Sequence, residues 1–291
     1  MMQGLQVPFV CGKIREEEGA TEMKIDNHDG RLRYYELVLH RTDIRDFPEY
    51  FLPEGYSFCF YESEADVEDW LRIEVSAGEF LTIEEGRESW EEYYGSGEES
   101  KAFRGKQLPT VQDELRRRML FVVNPAGEKV ATATAFYEPE DKSGAGWMHW
   151  VAVRRDHQGK GLAKPLISRV LQVMRELGYQ EVKIPTQTTT WLAVKVYLDF
   201  GFRPIPQNAT NSYEGYRIVR TLTNHPALSE FPEMPEEEMF DPKMVEIDAF
   251  LRERYPDLVG YKVWWKTGIY QVWYLREGQK KAEYLEYGLV E

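Results

Sequence analysis

The residues best suited to binding chemistry lie between Val151 and Ala163, where an apolar segment runs through a glycine-bearing loop into an amphipathic segment. Gly159 and Gly161 let the backbone approach a bulky anion, because glycine has no side chain and adopts left-handed conformations freely. The helix that Gly161 opens offers free N–H groups and the positive end of its dipole. In a chain of formal charge −14, this loop nevertheless concentrates side chains that can be cationic: Arg154, Arg155, His157, Lys160 and Lys164. The stretch is therefore predicted to bind an anionic, phosphate-bearing ligand.

Two common phosphate-binding motifs are absent from this loop. It lacks the Gly-Lys-Ser/Thr ending of a nucleotide-triphosphate P-loop, and residues 158–163 lack the three glycines of the dinucleotide fingerprint. Kinase and dehydrogenase functions are excluded on these grounds. A Gly-x-Gly pair alone is weak evidence, since glycines also occur in ordinary strand-to-helix turns, and such a turn is the alternative interpretation.

Two motifs occur in the order expected of one family. Gln158-x-x-Gly161-x-Ala163 resembles the Gln/Arg-x-x-Gly-x-Gly/Ala motif of the GNAT superfamily, the acetyl-CoA-dependent N-acetyltransferases. Residues 190–202 resemble the family's Asn-x-x-Ala-x-x-x-Tyr-x-x-x-Gly-Phe motif, with Thr190 in place of the asparagine. Two ordered motifs at the expected separation make a chance match a poor explanation.

The resemblance covers residues 119–205 well and residues 56–118 more loosely. It implies an α/β fold with a mixed sheet, the GNAT acyl-CoA N-acyltransferase fold, and acetyl-CoA as cosubstrate. In that family the loop amides hold the CoA pyrophosphate. The residues that the resemblance assigns to cofactor binding are Val151, Ala152, Val153, Gln158, Gly159, Lys160, Gly161, Leu162, Ala163 and Lys164.

The resemblance also implies a catalytic tyrosine. Tyr197 matches the family's tyrosine that lies near the CoA sulfur. A phenol with a pKa of about 10 can lend a proton to a departing thiolate whose pKa is near 8.5. The alternative is a core tyrosine, because its neighbours on the predicted helix are apolar: Ala193, Val194, Val196 and Phe200.

His149 is the second candidate catalytic residue. Strict alternation along its predicted strand places it on one face with Val151 and Val153. Some family members that acetylate arylalkylamines have a histidine at the corresponding place, where it helps to deprotonate the amine through water. An imidazole with a pKa near 6.5 suits this role, so activity should fall in acid with an apparent pKa near that value. The alternative is a core histidine that a neighbour satisfies.

Other groups near the loop have less specific assignments. In the GNAT pattern the backbone of residues 151–153 pairs with pantetheine as an added strand, and an amide near Val151 polarises the thioester carbonyl. Thr186, Gln187 and Thr188 could line the acceptor side of the site, but a helix-capping turn is the favoured interpretation of these residues.

Hydrophobic periodicity predicts the order β-α-α-β-β-β-α-β-α-β, which matches the topology that the resemblance implies. Apolar spacing predicts helices at residues 64–77, 87–94, 161–178 and 190–202, the third ending in a left-handed cap at Gly178. Alternating or buried apolar runs predict strands at residues 56–61, 119–123, 129–137, 146–153, 181–184 and 213–222.

The ends of the chain extend this core. A β-hairpin is predicted from residues 21–26 and 31–39, around a turn at residues 27–30. The aromatic C-terminal meander is expected to pack on the core, on this hairpin or on a second copy of the chain, which would form a homodimer. The predicted parts are an N-terminal extension at 1–45, a GNAT domain at 46–223, an acidic proline-rich linker at 224–242, and a helix with a three-stranded meander at 243–291.

Composition limits the functional class. With 42% apolar and 14% aromatic residues, the 291-residue chain can bury a sizeable core. It has neither a long apolar run nor a basic leader, so no membrane association is predicted and the cytoplasm is the expected compartment. The acidic balance argues against nucleic-acid binding. Cys11 and Cys59 lack metal-ligand spacing, so we expect reduced thiols and no metal site.

The predicted function is acetyl transfer from acetyl-CoA to a primary amine of a small molecule or peptide, because an acidic exterior attracts cationic acceptors. Two alternatives stay open. One is a CoA-binding or protein-docking module without turnover. The other is acetylation of a thiol-cofactor precursor, since Trp150-Val-Ala-Val153 and Pro185-Thr-Gln187 resemble the mycothiol-synthase branch.

Overall fold

The structure, a computed structural model, describes residues 6–10, 29–206, 211–266, 269–279 and 281–288. The chain is a mixture of strands and helices. Its strands are β1 (Gln6–Val10), β2 (Glu36–Arg41), β3 (Ser57–Phe60), β4 (Met119–Val123), β5 (Lys129–Phe136), β6 (Gly146–Val153), β7 (Val182–Gln187), β8 (Arg203–Pro204), β9 (Leu258–Lys266), β10 (Ile269–Arg276) and β11 (Glu283–Gly288).

Helices alternate with these strands. They are α1 (Ala65–Ala77), α2 (Ile83–Tyr94), α3 (Lys101–Gly105), α4 (Val111–Arg118), α5 (Ala163–Glu176), α6 (Trp191–Asp199), α7 (Ser212–Thr223), α8 (Glu236–Met239) and α9 (Pro242–Arg254). Local capping explains several starts: the side chains of Thr82 and Thr110 accept hydrogen bonds from the third residue beyond them. At the end of α5, Gly178 has a φ of 90°, which confirms the predicted left-handed termination.

The chain forms two compact units. One comprises residues 38–185 and 196–205, and the other comprises residues 1–37, 186–195 and 206–291. These units do not coincide with the four parts predicted from composition.

A mixed sheet with the strand order β3-β4-β5-β6-β7-β2-β8 confirms the predicted α/β class. The β3–β4–β5–β6 neighbours are antiparallel, and β6 and β7 are parallel. Both α1 and α2 pack on the β5–β6 region through a core that includes Trp70, Trp90, Phe121 and Phe136. Burial of such large apolar side chains stabilises the sheet and fixes the position of β6.

The N-terminal extension contributes a strand to this sheet. The prediction of an added hairpin was wrong in its second arm, because β2 lies between β7 and β8. Leu39 and His40 of β2 pair with residues 203–204 of β8. The predicted first arm, residues 21–26, lies outside the described residues. Sequence alternation identified a strand near residue 36 but carried no information about its partners.

The predicted strand at residues 213–222 is the helix α7, so this prediction was wrong. Its buried residues include Ser212, Gly215, Tyr216 and Val219, which follow the 3.6-residue period of a helix. Two tyrosines, an isoleucine and a valine gave the segment a β-rich composition, but packing of one helical face overrode that preference.

Residues 224–242 are not the exposed linker that their prolines and acidic side chains suggested. Phe231, Met234, Met239 and Phe240 are buried, and three of them share a core cluster with Leu32 and Ile218. The acidic side chains between them stay at the surface, so the composition averaged two different environments. The predicted helix and three-stranded meander beyond this segment are present as α9 and β9–β11, with β1 paired to β9.

Candidate active site

The predicted anion-binding loop has the backbone geometry that an anion requires. Gly159 and Gly161 have φ values of 75° and 79°, in the left-handed region, and an added Cβ at either position would meet no atom within 4 Å. Helix α5 begins at Ala163, two residues later than predicted, because these conformations precede it. Within the described residues, no recorded hydrogen bond uses the N–H groups of Gly159, Lys160, Gly161 or Leu162. These free amides at a helix N-terminus fit a pyrophosphate group.

The cationic side chains of the loop contribute less than the sequence suggested. Asp156 lies 2.7 Å from Arg154 and 3.0 Å from His157, and Arg154 is also 3.8 Å from Glu128. Lys164 is 3.7 Å from Asp199. Since these ion pairs neutralise much of the local charge, the backbone amides are the principal anion-binding groups.

Gln158 has a positioning contact that its motif did not reveal. Its side-chain Nε2 donates to the carbonyl oxygen of Val153 at 3.1 Å, which ties the loop to the end of β6. This hydrogen bond connects the two predicted cofactor-binding segments, residues 151–153 and residues 158–164.

Strand β6 separates from its parallel neighbour immediately before this loop. It pairs with β7 only at Gly146↔Val182 and Trp147↔Lys183. From residue 148 to residue 153, the edge of β6 that faces β7 has no recorded strand partner among the described residues. An open strand edge offers N–H and C=O groups to an extended amide-containing ligand.

A β-bulge interrupts β6 at Trp150, whose φ is 53°. Thr134 pairs with His149 and Thr132 with Ala152, so β6 contains one more residue than β5 in this interval. The extra residue reverses the alternation of side chains. His149 consequently shares a face with Ala152, and the predicted common face with Val151 and Val153 was wrong.

His149 lies among aromatic rings. Its ring centroid is 5.5 Å from those of Tyr93 and Phe136 and 6.0 Å from that of Trp147. Its Nε2 is buried and has no hydrogen-bond partner among the described residues. Burial, with a smaller effect from the charge of Lys101, lowers the pKa of His149 to about 3. The acid limb expected near pH 6.5 is thus displaced towards pH 3 if it depends on this imidazole.

We expect His149 to make stability depend on pH below neutrality. Its pKa is lower in the folded chain than the ordinary 6.5, so the unfolded chain binds the additional proton and stability falls as pH drops from 6.5 towards 3. The lowering of the His149 pKa from 6.5 to about 3 corresponds to a loss of about 5 kcal/mol in the free energy of unfolding once the pH has fallen below both values. Chemical unfolding at several pH values should show that the free energy of unfolding depends much less on pH in His149→Gln than in the wild type. His40→Gln is the control, and parallel curves for wild type and His149→Gln would contradict the assignment.

Tyr197 lies on α6 in the same compact unit as the loop and β6. It is 5% exposed, and its ring centroid is 6.3 Å from that of Phe202. Burial, followed by the charges of Glu74 and Glu79, raises the pKa of Tyr197 well above its usual value of 10. The hydroxyl therefore keeps its proton throughout the neutral range and is available as a donor.

The threonines after β7 bond to their own surroundings. Thr188 is fully buried; its hydroxyl donates to the carbonyl of Arg33 at 2.6 Å and accepts from the N–H of Tyr35 at 3.1 Å. The hydroxyl of Thr190 donates to the carbonyl of Gln187 at 3.1 Å. These contacts favour the structural turn over a substrate-lining role for residues 186–188.

Glu74 is a buried acid near Tyr197 that the sequence interpretation missed. A signal was present, because Glu74 follows Trp70 by four residues on the apolar stripe of α1. Cys59 is a half-buried free thiol, and no group of three or more metal-ligating side chains occurs among the residues that the structure describes.

Comparison with known proteins identifies a family for part of the chain. Residues 83–202 match the model of the acetyltransferase (GNAT) family. This region, less than half of the chain, is similar to the GNAT superfamily. The match spans α2 to α6 and so includes the anion-binding loop, the divergence of β6 from β7, and Tyr197.

Curated proteins similar to this chain are aligned over part of their length. N-acetyltransferase 8B of Rattus norvegicus is 32% identical over 124 residues, covering 40% of this chain and 56% of the relative. N-acetyltransferase 8B of Homo sapiens is 36% identical over 75 residues, covering 26% and 32%. The chain thus spans about a third to just over half of these relatives.

Solved structures similar to this chain include a GCN5-related N-acetyltransferase from Sphaerobacter thermophilus. It has a TM-score of 0.45 and 20% identity, covering 60% of this chain and 50% of the other. A tandem GNAT protein from the clavulanic acid biosynthesis pathway has a TM-score of 0.39 and 16% identity, with the same coverage. Over its described part, the chain contains no helix of sufficient length and apolarity to span a membrane.

Proposed function

We propose that the protein transfers an acetyl group from acetyl-CoA to a primary amine of a small molecule or peptide. The observation that carries this proposal is the opening of β6 away from β7 beside a loop of free amides. The loop fits the pyrophosphate, and the open edge of β6 fits the amide-containing pantetheine arm. Bound acetyl-CoA supplies an activated thioester carbonyl.

The chemistry requires a neutral amine, an oriented thioester and a proton for sulfur. The amine nitrogen attacks the carbonyl carbon; a C–N bond forms, the C–S bond breaks, and its electron pair leaves with sulfur. We assign Tyr197 as the donor to that sulfur, since its hydroxyl stays protonated. Backbone amides of the open β6 segment, near Val151, stabilise the charge on the carbonyl oxygen.

His149 is the proton acceptor that the sequence favours, and it keeps that role as a hypothesis. Its neutral imidazole can accept a hydrogen bond, and Nε2 has no competing partner among the described residues. A pKa of about 3 nevertheless makes it a poor final acceptor for a proton from an ammonium group of pKa about 10. Orientation of a water molecule is the more favourable contribution of this side chain.

A screen of acceptors tests the proposed function. Incubation with acetyl-CoA and a panel of amines, polyamines, aminoglycosides, peptides and aminothiol-cofactor precursors should release free thiol with at least one class, and mass spectrometry should find an acetylated amine. A panel member that carries a thiol is assayed by product mass alone. Tight acetyl-CoA binding without product across the panel would favour the non-catalytic module. Selective acetylation of the aminothiol precursors would favour the mycothiol-synthase-like alternative.

A further inference from the structure

The buried carboxyl group of Glu74, near the C-terminal end of α1, faces no cationic side chain at salt-bridge distance among the residues that the structure describes. Glu74 is 2% exposed, and its Oε1 has no hydrogen-bond partner in the same part of the chain. Among the described residues it takes part in no recorded salt bridge. An ionised carboxylate whose Oε1 lacks a hydrogen bond and a counter-ion is costly to the folded state. A bound cation would remove that cost and allow Glu74 to carry a negative charge.

The surroundings of Glu74 connect it to the open part of β6. Trp70, one helical turn earlier, has its ring centroid 5.5 Å from that of Trp150 at the bulge. Two residues after Glu74, the Ser76 hydroxyl accepts a hydrogen bond of 3.1 Å from the N–H of Arg155 in the anion-binding loop. These contacts hold the end of α1 against both the bulge and the loop.

The titratable groups that interact electrostatically with Glu74 are one other acid and two phenols. Among charged groups, Glu74 has the largest electrostatic effect on Tyr197, and it also acts on Tyr94 of α2. Glu79, just beyond α1, is the charged group that acts on Glu74 itself. Burial and then Glu79 raise the pKa of Glu74 well above its usual value. A raised pKa makes the ionised carboxylate a stronger proton acceptor than that of an exposed glutamate.

We propose that the carboxylate of Glu74 receives the ammonium group of the acceptor and takes its proton before attack. This inference rests on the proposed acetyl transfer and names the acceptor's charged group. It also assigns a catalytic residue outside residues 83–202, the part that matches the family model. An ammonium group supplies the positive charge and the hydrogen bonds that the buried carboxylate lacks.

The proton transfers balance. The ammonium group gives one proton to Glu74, and its nitrogen then forms the C–N bond. As the C–S bond breaks, Tyr197 gives a proton to sulfur. The nitrogen, now bonded to the carbonyl carbon, loses a second proton, which restores the phenol. Glu74 releases its proton to solvent, so ammonium and thioester yield amide, thiol and one proton.

Glu74→Gln tests this assignment, because it keeps the shape of the side chain and removes the charge. We expect CoA release to fall at least a hundredfold at saturating acetyl-CoA, with the Kd for acetyl-CoA unchanged within twofold. The Tm should stay close to that of the wild type, since the substitution conserves the volume of a buried side chain. Glu68→Gln, on the exposed side of the same helix, should keep wild-type turnover. Turnover of Glu74→Gln within threefold of wild type would overturn the assignment.

A binding measurement separates this inference from the proposed function. Calorimetry on the CoA-saturated protein uses butylammonium as the cation and butanol as its uncharged match. We expect Glu74→Gln to weaken butylammonium binding at least tenfold and to leave the weak binding of butanol unchanged. If no amine is acetylated but this difference appears, the ammonium site stands and acetyl transfer fails. Absent or Glu74-independent butylammonium binding would overturn the site, even if amines are acetylated.

A variant that keeps the carboxylate tests whether the effects of Glu74→Gln come from loss of the negative charge or from a change in folding. In Glu74→Asp the negative charge is withdrawn by one methylene. Butylammonium binding should persist, and turnover should lie between those of wild type and Glu74→Gln. If Glu74→Asp loses activity as fully as Glu74→Gln while both variants keep the wild-type Tm, the carboxylate is not the proton acceptor.

Discussion

Replacement of Gly161 by valine should weaken acetyl-CoA binding at least about a hundredfold while the chain stays folded. Gly161 has a φ of 79°, where a β-branched side chain costs on the order of 1–3 kcal/mol, so the loop must change conformation. Two displaced amide contacts to a charged phosphate, each worth about 1.5–3 kcal/mol, would weaken binding by about a hundredfold to ten-thousandfold. Isothermal titration of acetyl-CoA measures the loss.

A glycine with the same backbone geometry provides the matched control. Gly144 precedes β6 at its other end, has a φ of 83°, and likewise has no atom within 4 Å of an added Cβ. Gly144→Val should therefore carry similar strain but bind acetyl-CoA normally. Ala163→Glu should also prevent binding, because it places a negative charge at the start of α5. Wild-type affinity in both Gly161→Val and Ala163→Glu would exclude this loop as the phosphate site.

Replacement of Tyr197 by phenylalanine should lower kcat by about a hundredfold to ten-thousandfold, the usual contribution of general acid catalysis. Only the hydroxyl is lost, so ring packing against Phe202 and the Kd for acetyl-CoA should be preserved. Because the pKa of Tyr197 is raised above 10, the wild-type enzyme should show no loss of activity from ionisation of this phenol below pH 10.

A buried tyrosine with a structural hydrogen bond serves as the control for Tyr197. The hydroxyl of Tyr137 donates to the carbonyl of Ala102 at 2.9 Å. Tyr137→Phe should lower the Tm and leave kcat close to wild type. Single-turnover measurements establish whether chemistry limits the rate. If chemistry is limiting and Tyr197→Phe turns over normally, Tyr197 is a core residue.

The sequence predicted the site's local segments better than their mutual geometry. The bounds of β4 and β6 were predicted correctly, because apolar runs and flanking turns mark buried strands clearly. The bulge at Trp150 was missed, since no residue type at that position signals an inserted residue, and the face of His149 was misassigned as a result. Glu74 was missed for a related reason: its chemistry depends on burial, and a glutamate in an amphipathic helix is usually solvated.

Composition was a weaker guide than periodicity elsewhere. The stretch between α2 and β4 contains α3 and α4, and neither helix was predicted. Helix α4 contains a buried ion pair, with Arg118 Nε donating to Glu114 at 2.6 Å. A pairing of this kind cannot be read from the charges alone, because the same residues on an exposed helix would face water.

The interior position of β2 has a consequence for how the chain folds. Its partners β7 and β8 begin about 140 and 160 residues later in the chain, so β2 leaves the ribosome long before either can pair with it. Pairing across so long a loop contributes to a high contact order, which slows folding. The sheet between β3 and β6 can assemble from nearby segments first, whereas closure by β2 must wait for nearly the whole of that unit. During synthesis β2 is therefore an unpaired strand, and its exposed edge is prone to aggregation until β7 and β8 have emerged.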